Sequence, residues 1–141
     1  MTYALSQGLQ AAIYQRLTSY PPLQALVGPD IYDQVPPGLL PTLYVALGPE
    51  VVRDRSDATG RGSEHDVAVS VVTDGAGFSA AKAAASAVSD ALTDHPLTLP
   101  RGRVVSSRFL RAQARRIGSG ETRQIDLIFR LRVEDDADIP S

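Results

Sequence analysis

The sequence predicts an α+β fold, in which a mostly antiparallel sheet of four or five strands carries two helices on one face. Two observations lead to this prediction. Apolar residues recur every three or four positions in two long segments, whereas in several others they alternate with polar residues. Tight connections join neighbouring alternating segments, which favours antiparallel pairing. The 141 residues contain no linker long enough to divide them, so we expect one domain over 1–141.

The two helices are predicted from apolar spacing. The first should run from about Ala4 to Ser19 and stop before Pro21-Pro22. The second should run from about Phe78 to Leu92 through an alanine-rich segment, whose small side chains allow a sheet to approach closely. A shorter helical piece is expected to end at Gly28.

The strands are predicted from alternation and β-branched residues. Residues 31–41 are too rich in proline for a central strand and predict a short edge strand and a loop. Residues 42–56 predict a strand that Gly48-Pro49 bends, and the valines of 67–71 predict another. A long hairpin should follow, from about Arg103 to Arg115 and from Glu121 to Glu134.

Composition narrows the class of protein. With 43% hydrophobic and 21% charged residues, the chain has the composition of a soluble globular protein. It contains no cysteine, which excludes disulfides, thiolate metal sites and a cysteine nucleophile, and fits a reducing cytoplasm. The first residues lack the basic head of a signal peptide, and no segment approaches the roughly 20 apolar residues of a membrane span.

The stretch "DRSDATGRGSEHDVAVSVVTD" (54–74) is the first candidate for chemistry, as a phosphate cradle, a metal site or a connection between strands. Its glycines precede a strand, whereas phosphate-binding loops precede a helix, so no nucleotide cofactor is expected. His65 stands beside Glu64 and Asp66, but adjacent strand residues point to opposite faces, and we expect His65 to hydrogen-bond a neighbour rather than hold a metal. Neither histidine lies in a triad context, so no enzymatic activity is predicted.

Arginine is the second signal. Nine arginines lie between Arg101 and Arg132 against two acids, Glu121 and Asp126. An acidic tail follows at about 134–141. In the last strand Arg130 and Arg132 share the parity opposite to the apolar residues, so one face of the hairpin should be basic and exposed. The face lacks aromatic side chains for stacking bases, which favours contact with protein over contact with nucleic acid.

The order of segments resembles a known family. The stretches that carry the resemblance are "YALSQGLQAAIYQRL", "LVGPDIYDQVP", "LYVALGPEVVRDRSDATGRGSEHDVAVSVVTDGAGFSAAKAAASAVSDAL" and "VVSSRFLRAQARRIGSGETRQIDLIFRLRVE". Together they are similar to the tail terminator (tail-completion) proteins of long-tailed phages and gene transfer agents.

The resemblance implies an α+β subunit, made in the bacterial cytoplasm, that closes into a homo-hexameric ring at the head–tail junction of the particle. Such a ring caps the tail tube, ends its polymerisation and docks to the head connector. The implied partners are other copies of the chain, the tail tube protein and the head-completion (stopper) protein, with DNA passing through without specific binding. It implies no catalytic residue, metal or cofactor.

A ring subunit needs two complementary lateral faces. We therefore expect arginines of one subunit to meet acids of the next or of the partners, and "RDRSDATGRGSEH" (53–65) to form a docking loop. A small DNA-binding accessory protein and a monomeric adaptor stay open as alternatives. The candidate interface residues are Arg53, Arg55, Arg61, His65, Arg108, Arg111, Arg115, Arg130, Arg132, Asp135, Asp136 and Asp138.

Overall fold

The computed structural model describes residues 3–56, 61–75, 78–93, 96–118 and 122–135. In these ranges the chain forms three helices and five strands. In chain order they are α1 (Ser6–Thr18), α2 (Pro21–Val27), β1 (Ile31–Tyr32), β2 (Leu43–Asp54), β3 (Arg61–Thr73), α3 (Ser79–Thr93), β4 (Arg103–Arg116) and β5 (Arg123–Asp135).

The strands form a single mixed sheet in the order β1-β2-β3-β5-β4. The pairings β2–β3, β3–β5 and β4–β5 are antiparallel, and the two-residue β1 pairs parallel with β2. The register of β3 and β5 runs without a shift from Arg61↔Asp135 to Thr73↔Arg123. The prediction of a mostly antiparallel α+β fold is confirmed, and β1 and β4 are the two edges of the sheet.

The helices pack against one face of this sheet. Strand side chains of one parity, such as Val69, Phe129 and Leu131, are buried there beneath Val88 and Leu92 of α3. Beside the two long helices, the short helical piece expected to end at Gly28 is confirmed as α2. Prolines occupy its first two positions, Leu23 and Val27 are buried, and Gly28 ends it with a φ of 58°. None of the described helices is long and apolar enough to cross a membrane.

Strand β2 is irregular near its middle, and β3 begins earlier than the sequence pattern predicted. The register of β2 shifts between Leu47 and Glu50, which confirms the bend predicted at Gly48-Pro49. The expected loop over 53–65 is wrong in extent, because β2 continues to Asp54 and β3 begins at Arg61. Pairing with β5 supplies the hydrogen bonds of the early part of β3, which the sequence pattern of β3 alone did not reveal. Residues 57–60 lie outside the described ranges.

Candidate assembly surface

Sheet register places the arginines of the hairpin on the face that points away from the helices. Arg130 and Arg132 alternate with the buried Leu131 on β5, as predicted. Across the strand pair, Arg108 lies opposite Arg130, and Arg132 lies opposite a serine of β4. Directly opposed residues project to the same side of a sheet. The members of this exposed face on the hairpin are therefore Arg103, Arg108, Arg111, Arg115, Arg130 and Arg132, together with Ser106, Gln113, Gln124, Asp126, Ile128 and Glu134.

Asp66 of β3 is the anionic centre of one part of this face. Arg130 binds its carboxylate through two bonds, Nε to Oδ1 at 2.8 Å and Nη2 to Oδ2 at 3.0 Å. Arg53 of β2 adds a third bond, from Nη1 to Oδ2 at 3.0 Å. The hydrogen bonds from Arg130, joined by those from Arg53, lower the pKa of Asp66 to about 2 against the opposing effect of burial. The bond to Asp66 likewise raises the pKa of Arg130.

Glu64 extends the same cluster. Its carboxylate lies 3.2 Å from Nε of Arg130, 3.4 Å from Nη1 of Arg53 and 3.4 Å from Nε of Arg55. Three of the candidate interface arginines are thus already paired within the chain. Their charge is compensated before any partner arrives.

Asp126 of β5 compensates another arginine. Nη2 of Arg115 lies 3.3 Å from its Oδ2, and Ser70 and Gln124 each donate to its Oδ1 at 2.6 Å. Burial opposes ionisation of this carboxyl, but these two hydrogen bonds and the Arg115 charge outweigh it and lower its pKa. Arg115 is therefore also tied to the sheet.

Three arginines of the exposed face are left without an acid. Arg108, Arg111 and Arg132 form no ion pair with any part of the chain that the structure describes. The Nε of Arg132 is buried and has no hydrogen-bond partner there. Because Arg108 stands directly opposite Arg130, like charges also face each other across β4 and β5. This group can bind carboxylates or phosphates supplied from outside, since a guanidinium suits both.

The acidic end of β5 is used within the chain. Asp135 is only 4% exposed, and its Oδ1 and Oδ2 accept bonds of 2.8 and 2.6 Å from Nε and Nη2 of Arg101. Arg61 lies opposite Asp135 in the register of β3 and β5. The expectation that Asp135 meets a neighbouring subunit therefore conflicts with its burial. Asp136 and Asp138 lie outside the described residues.

His65 belongs to the core rather than to this face. Its Nε2 lies 2.9 Å from the Oγ of Ser63, and its Nδ1 lies 3.4 Å from Oε2 of Glu50. Ser63 and His65 are fully buried, so no substrate can reach this serine–histidine–glutamate line, which resembles a catalytic triad only in its order. Tyr3 and Ser6 also donate to Glu50, so the group ties the start of α1 to the sheet.

Sequence reasoning missed this buried line. The signal that could have found it is parity, since Ser63 and His65 are two residues apart and so point to the same side of a strand. No three histidine, aspartate or glutamate side chains converge to hold a metal ion within the described ranges.

Comparison with known proteins places this architecture in a family. The family model for tail completion protein gp17 matches residues 11–134, which include all of β1 to β5 except the last residue of β5. The chain belongs to this family of tail completion proteins. The family is one of structural particle proteins, so the expectation that the chain is not an enzyme is confirmed.

A solved structure is similar over nearly the whole chain. A chain in the structure "Virion of native gene transfer agent (GTA) particle" is 57% identical, with a TM-score of 0.89. The match covers 94% of this chain and 99% of the other. A search of curated proteins found no match. The resemblance drawn from the sequence is confirmed at the level of the family and of a particle component.

Proposed function

We propose that this tail completion protein forms a ring of six copies at the head–tail junction of a phage or gene transfer agent particle. The ring caps the tail tube, ends its polymerisation and docks the tail to the head connector. The observation that carries the proposal is the family match over residues 11–134. The 57% identity with a chain of a gene transfer agent virion supports a role in a particle of that kind.

The charge on the exposed face supports docking to proteins. Arg108, Arg111 and Arg132 have no acid among the described residues, so an acidic partner surface would gain charge-assisted hydrogen bonds there. The tail tube protein and the head-completion protein are the proposed sources of these acids. Charged contacts of this kind select partners and set register more than they add affinity.

The same three arginines favour one alternative function, a small accessory protein that binds DNA phosphates. The aromatic residues of the hairpin do not support it, because Phe109 and Phe129 lie on the helix side of the sheet. Contact with phosphate alone would therefore be independent of base sequence and strongly weakened by salt. We place DNA in the lumen of the ring, where it passes without a specific site.

The proposal is tested with particles that lack this chain, complemented with wild type, with Arg108→Glu/Arg111→Glu or with Lys82→Glu as a control for an exposed cation on α3. We expect particles without the chain to show unjoined heads and tails of irregular length in electron micrographs. The double variant should restore tail length less well than Lys82→Glu. Normal, joined tails in the absence of the chain would refute the proposal.

A gel shift with duplex DNA distinguishes the proposed tail-capping function from the DNA-binding alternative. Tail capping predicts no shift at physiological salt. A shift at that salt that the double arginine variant abolishes, combined with normal tails, would favour the DNA-binding alternative instead.

A further inference from the structure

Both edges of the sheet carry exposed apolar residues, and the charges around them are opposite in sign. At one edge, the connection after β1, residues 33–42, holds three exposed apolar side chains, and we name it the edge loop. Leu39 is fully exposed, and Val35 and Leu40 are exposed to about two fifths, at 39% and 40%. Such a cluster on a connection is typical of a contact surface.

At the opposite edge, β4 carries an apolar strip. Phe109, Ala112 and Ala114 lie opposite Phe129, Leu127 and Ile125 of β5 and therefore project to the helix side of the sheet. These β5 partners are buried in the core, with exposures of 4% or less, whereas Phe109 is 46% exposed and both alanines are exposed. The helices cover β5 but leave this part of β4 uncovered.

Two bulges add further apolar residues to this edge. Pairing with β5 skips Val105 and Leu110, at the shifts between Val104 and Ser106 and between Phe109 and Arg111. Both extra residues are exposed, at 47% and 36%. We name Val105, Phe109, Leu110, Ala112 and Ala114 the β4 strip. Bulges and arginines hinder the addition of another strand to an edge, so contact here should come from side chains.

The charges of the two edges are opposite. Residues 17–52, which include α2, β1, the edge loop and most of β2, contain no lysine, arginine or histidine. Of their three acids, Asp30 and Asp33 lie at this edge, whereas Glu50 is bonded to His65, Tyr3 and Ser6.

Residues 101–116, which include β4, contain six arginines and no acid. Arg101, Arg103 and Arg115 pair with acids of β5, whereas Arg108 and Arg111 form no ion pair among the described residues and keep this edge basic. One copy therefore offers an apolar, acidic edge, and another copy offers an apolar, basic edge.

We infer that the edge loop of one copy of this chain docks on the β4 strip of the next copy. The contact is heterologous, because it joins two different surfaces, and such contacts close into rings when the rotation between copies is suitable. The occupant is a second copy because the chain itself supplies both halves, at opposite edges of one sheet. The inference rests on the proposed ring and names the residues that hold its subunits together.

Matched variants test the two halves separately. Leu39→Asp removes the edge loop contact, Leu110→Asp removes the β4 contact, and Tyr14→Asp places the same charge at an exposed apolar residue of α1. By sedimentation, we expect each of the first two variants to weaken self-association at least 10-fold and Tyr14→Asp to leave it unchanged. Val105→Asp repeats the β4 test if Leu110→Asp lowers the thermal midpoint of unfolding.

Mixing the variants tests whether the contact is heterologous. Leu39→Asp keeps an intact β4 strip and Leu110→Asp keeps an intact edge loop, so the mixture should form dimers but no larger ring. Failure of the mixture to dimerise, with both variants folded, would overturn the inference.

Chemical cross-linking gives a second readout, because the chain contains no cysteine. Leu39→Cys and Leu110→Cys chains, mixed or placed together in particles, should form linked copies with a short bismaleimide reagent, whereas Tyr14→Cys with Leu110→Cys should not. If tails are capped but no cross-link forms between copies, the inferred contact is wrong, whereas the proposed tail-capping function is unaffected. If cross-links form, but tails are normal in particles that lack the chain, only the proposed function is refuted.

Discussion

Replacing Asp66 with asparagine tests the ion-pair cluster on the exposed face. Asparagine has nearly the shape of a protonated aspartic acid, so the variant removes the charge and preserves packing. In the wild type the bidentate bond from Arg130, the bond from Arg53 and their charges hold the pKa of Asp66 at about 2, against an ordinary value of 3.8. The Asp66 side chain is only 14% exposed, so solvent screens these contacts weakly.

The expected magnitude follows from proton linkage. A tenfold change in proton affinity is worth about 1.4 kcal/mol, so a pKa lowered from 3.8 to about 2 stabilises the fold by about 2 kcal/mol at neutral pH. Because the folded-state pKa is the lower one, this stabilisation is complete well above pH 3.8 and is lost as the pH falls through about 2. About half of it should remain at pH 3.

The assay is urea unfolding of wild type and Asp66→Asn from pH 3 to pH 7. We expect the variant to be less stable by about 2 kcal/mol at pH 7 and by about 1 kcal/mol at pH 3. Asp90→Asn, at an exposed position of α3, is the control and should change the free energy of unfolding by less than about 0.5 kcal/mol at either pH. A difference for Asp66→Asn that is absent at pH 7, or is the same at both pH values, would refute the linkage reasoning.

Three further predictions concern stability. Gly102→Ala should destabilise the fold by more than about 2 kcal/mol, since φ is 74° and the added Cβ would overlap a backbone carbonyl of β5. Gly118→Ala, with a φ of 66° and open space around it, should destabilise the fold by only about 1 kcal/mol. Equal urea midpoints for the two variants would contradict this prediction. Asp135→Ala should cost about 2 kcal/mol in the same assay, because it removes a buried carboxylate held by two bonds from an arginine, and an unchanged midpoint would show that this ion pair adds nothing. His65→Leu leaves the Ser63 hydroxyl buried without its partner. Ser63→Ala should therefore lower the free energy of unfolding less in the His65→Leu variant than in the wild type. Strictly additive losses of stability would rule out this coupling.

The sequence was sufficient to predict the long regular elements. Alternation over residues 123–135 specified β5 and its core residues, including Phe129, because one side of that strand is buried along its whole length. The three-to-four spacing of α3 specified its position to within one residue at each end, since most of its apolar residues, among them Val88 and Leu92, are buried along one side of the helix. Patterns of this kind depend on local geometry alone and are readable without knowing the partners.

The order of the strands and the short elements could not be read in this way. The hairpin of β4 and β5 was predicted, but nothing in the period of β5 says that its other side pairs with β3, because that pairing is chosen by contacts between distant segments. The two-residue β1 is too short to show a period, so neither its position in the sheet nor its parallel pairing with β2 could be predicted.

The candidate site shows the same division between local and distant information. Parity correctly placed Arg130 and Arg132 on the exposed face. It gave both residues equal weight as interface candidates, although Arg130 is neutralised by Asp66 of β3 and Arg132 has no acid among the described residues. The acid that decides between them is 64 residues away in sequence, so only the fold separates a structural arginine from an available one.

This separation has an experimental consequence, because salt should act on the two groups of arginines in different ways. The Asp66 cluster is part of the folded subunit, and its carboxylates are only 13–14% exposed although its arginines reach solvent, so added salt should change its contribution less than that of contacts between subunits. Arg108 and Arg111 gain an acid only when a partner supplies one, and exposed contacts of that kind are screened over about 10 Å at 0.1 M salt. We therefore expect added salt to weaken assembly without lowering the unfolding midpoint of the subunit. A substitution at Arg130 reports on the fold, whereas one at Arg108 or Arg111 reports on docking.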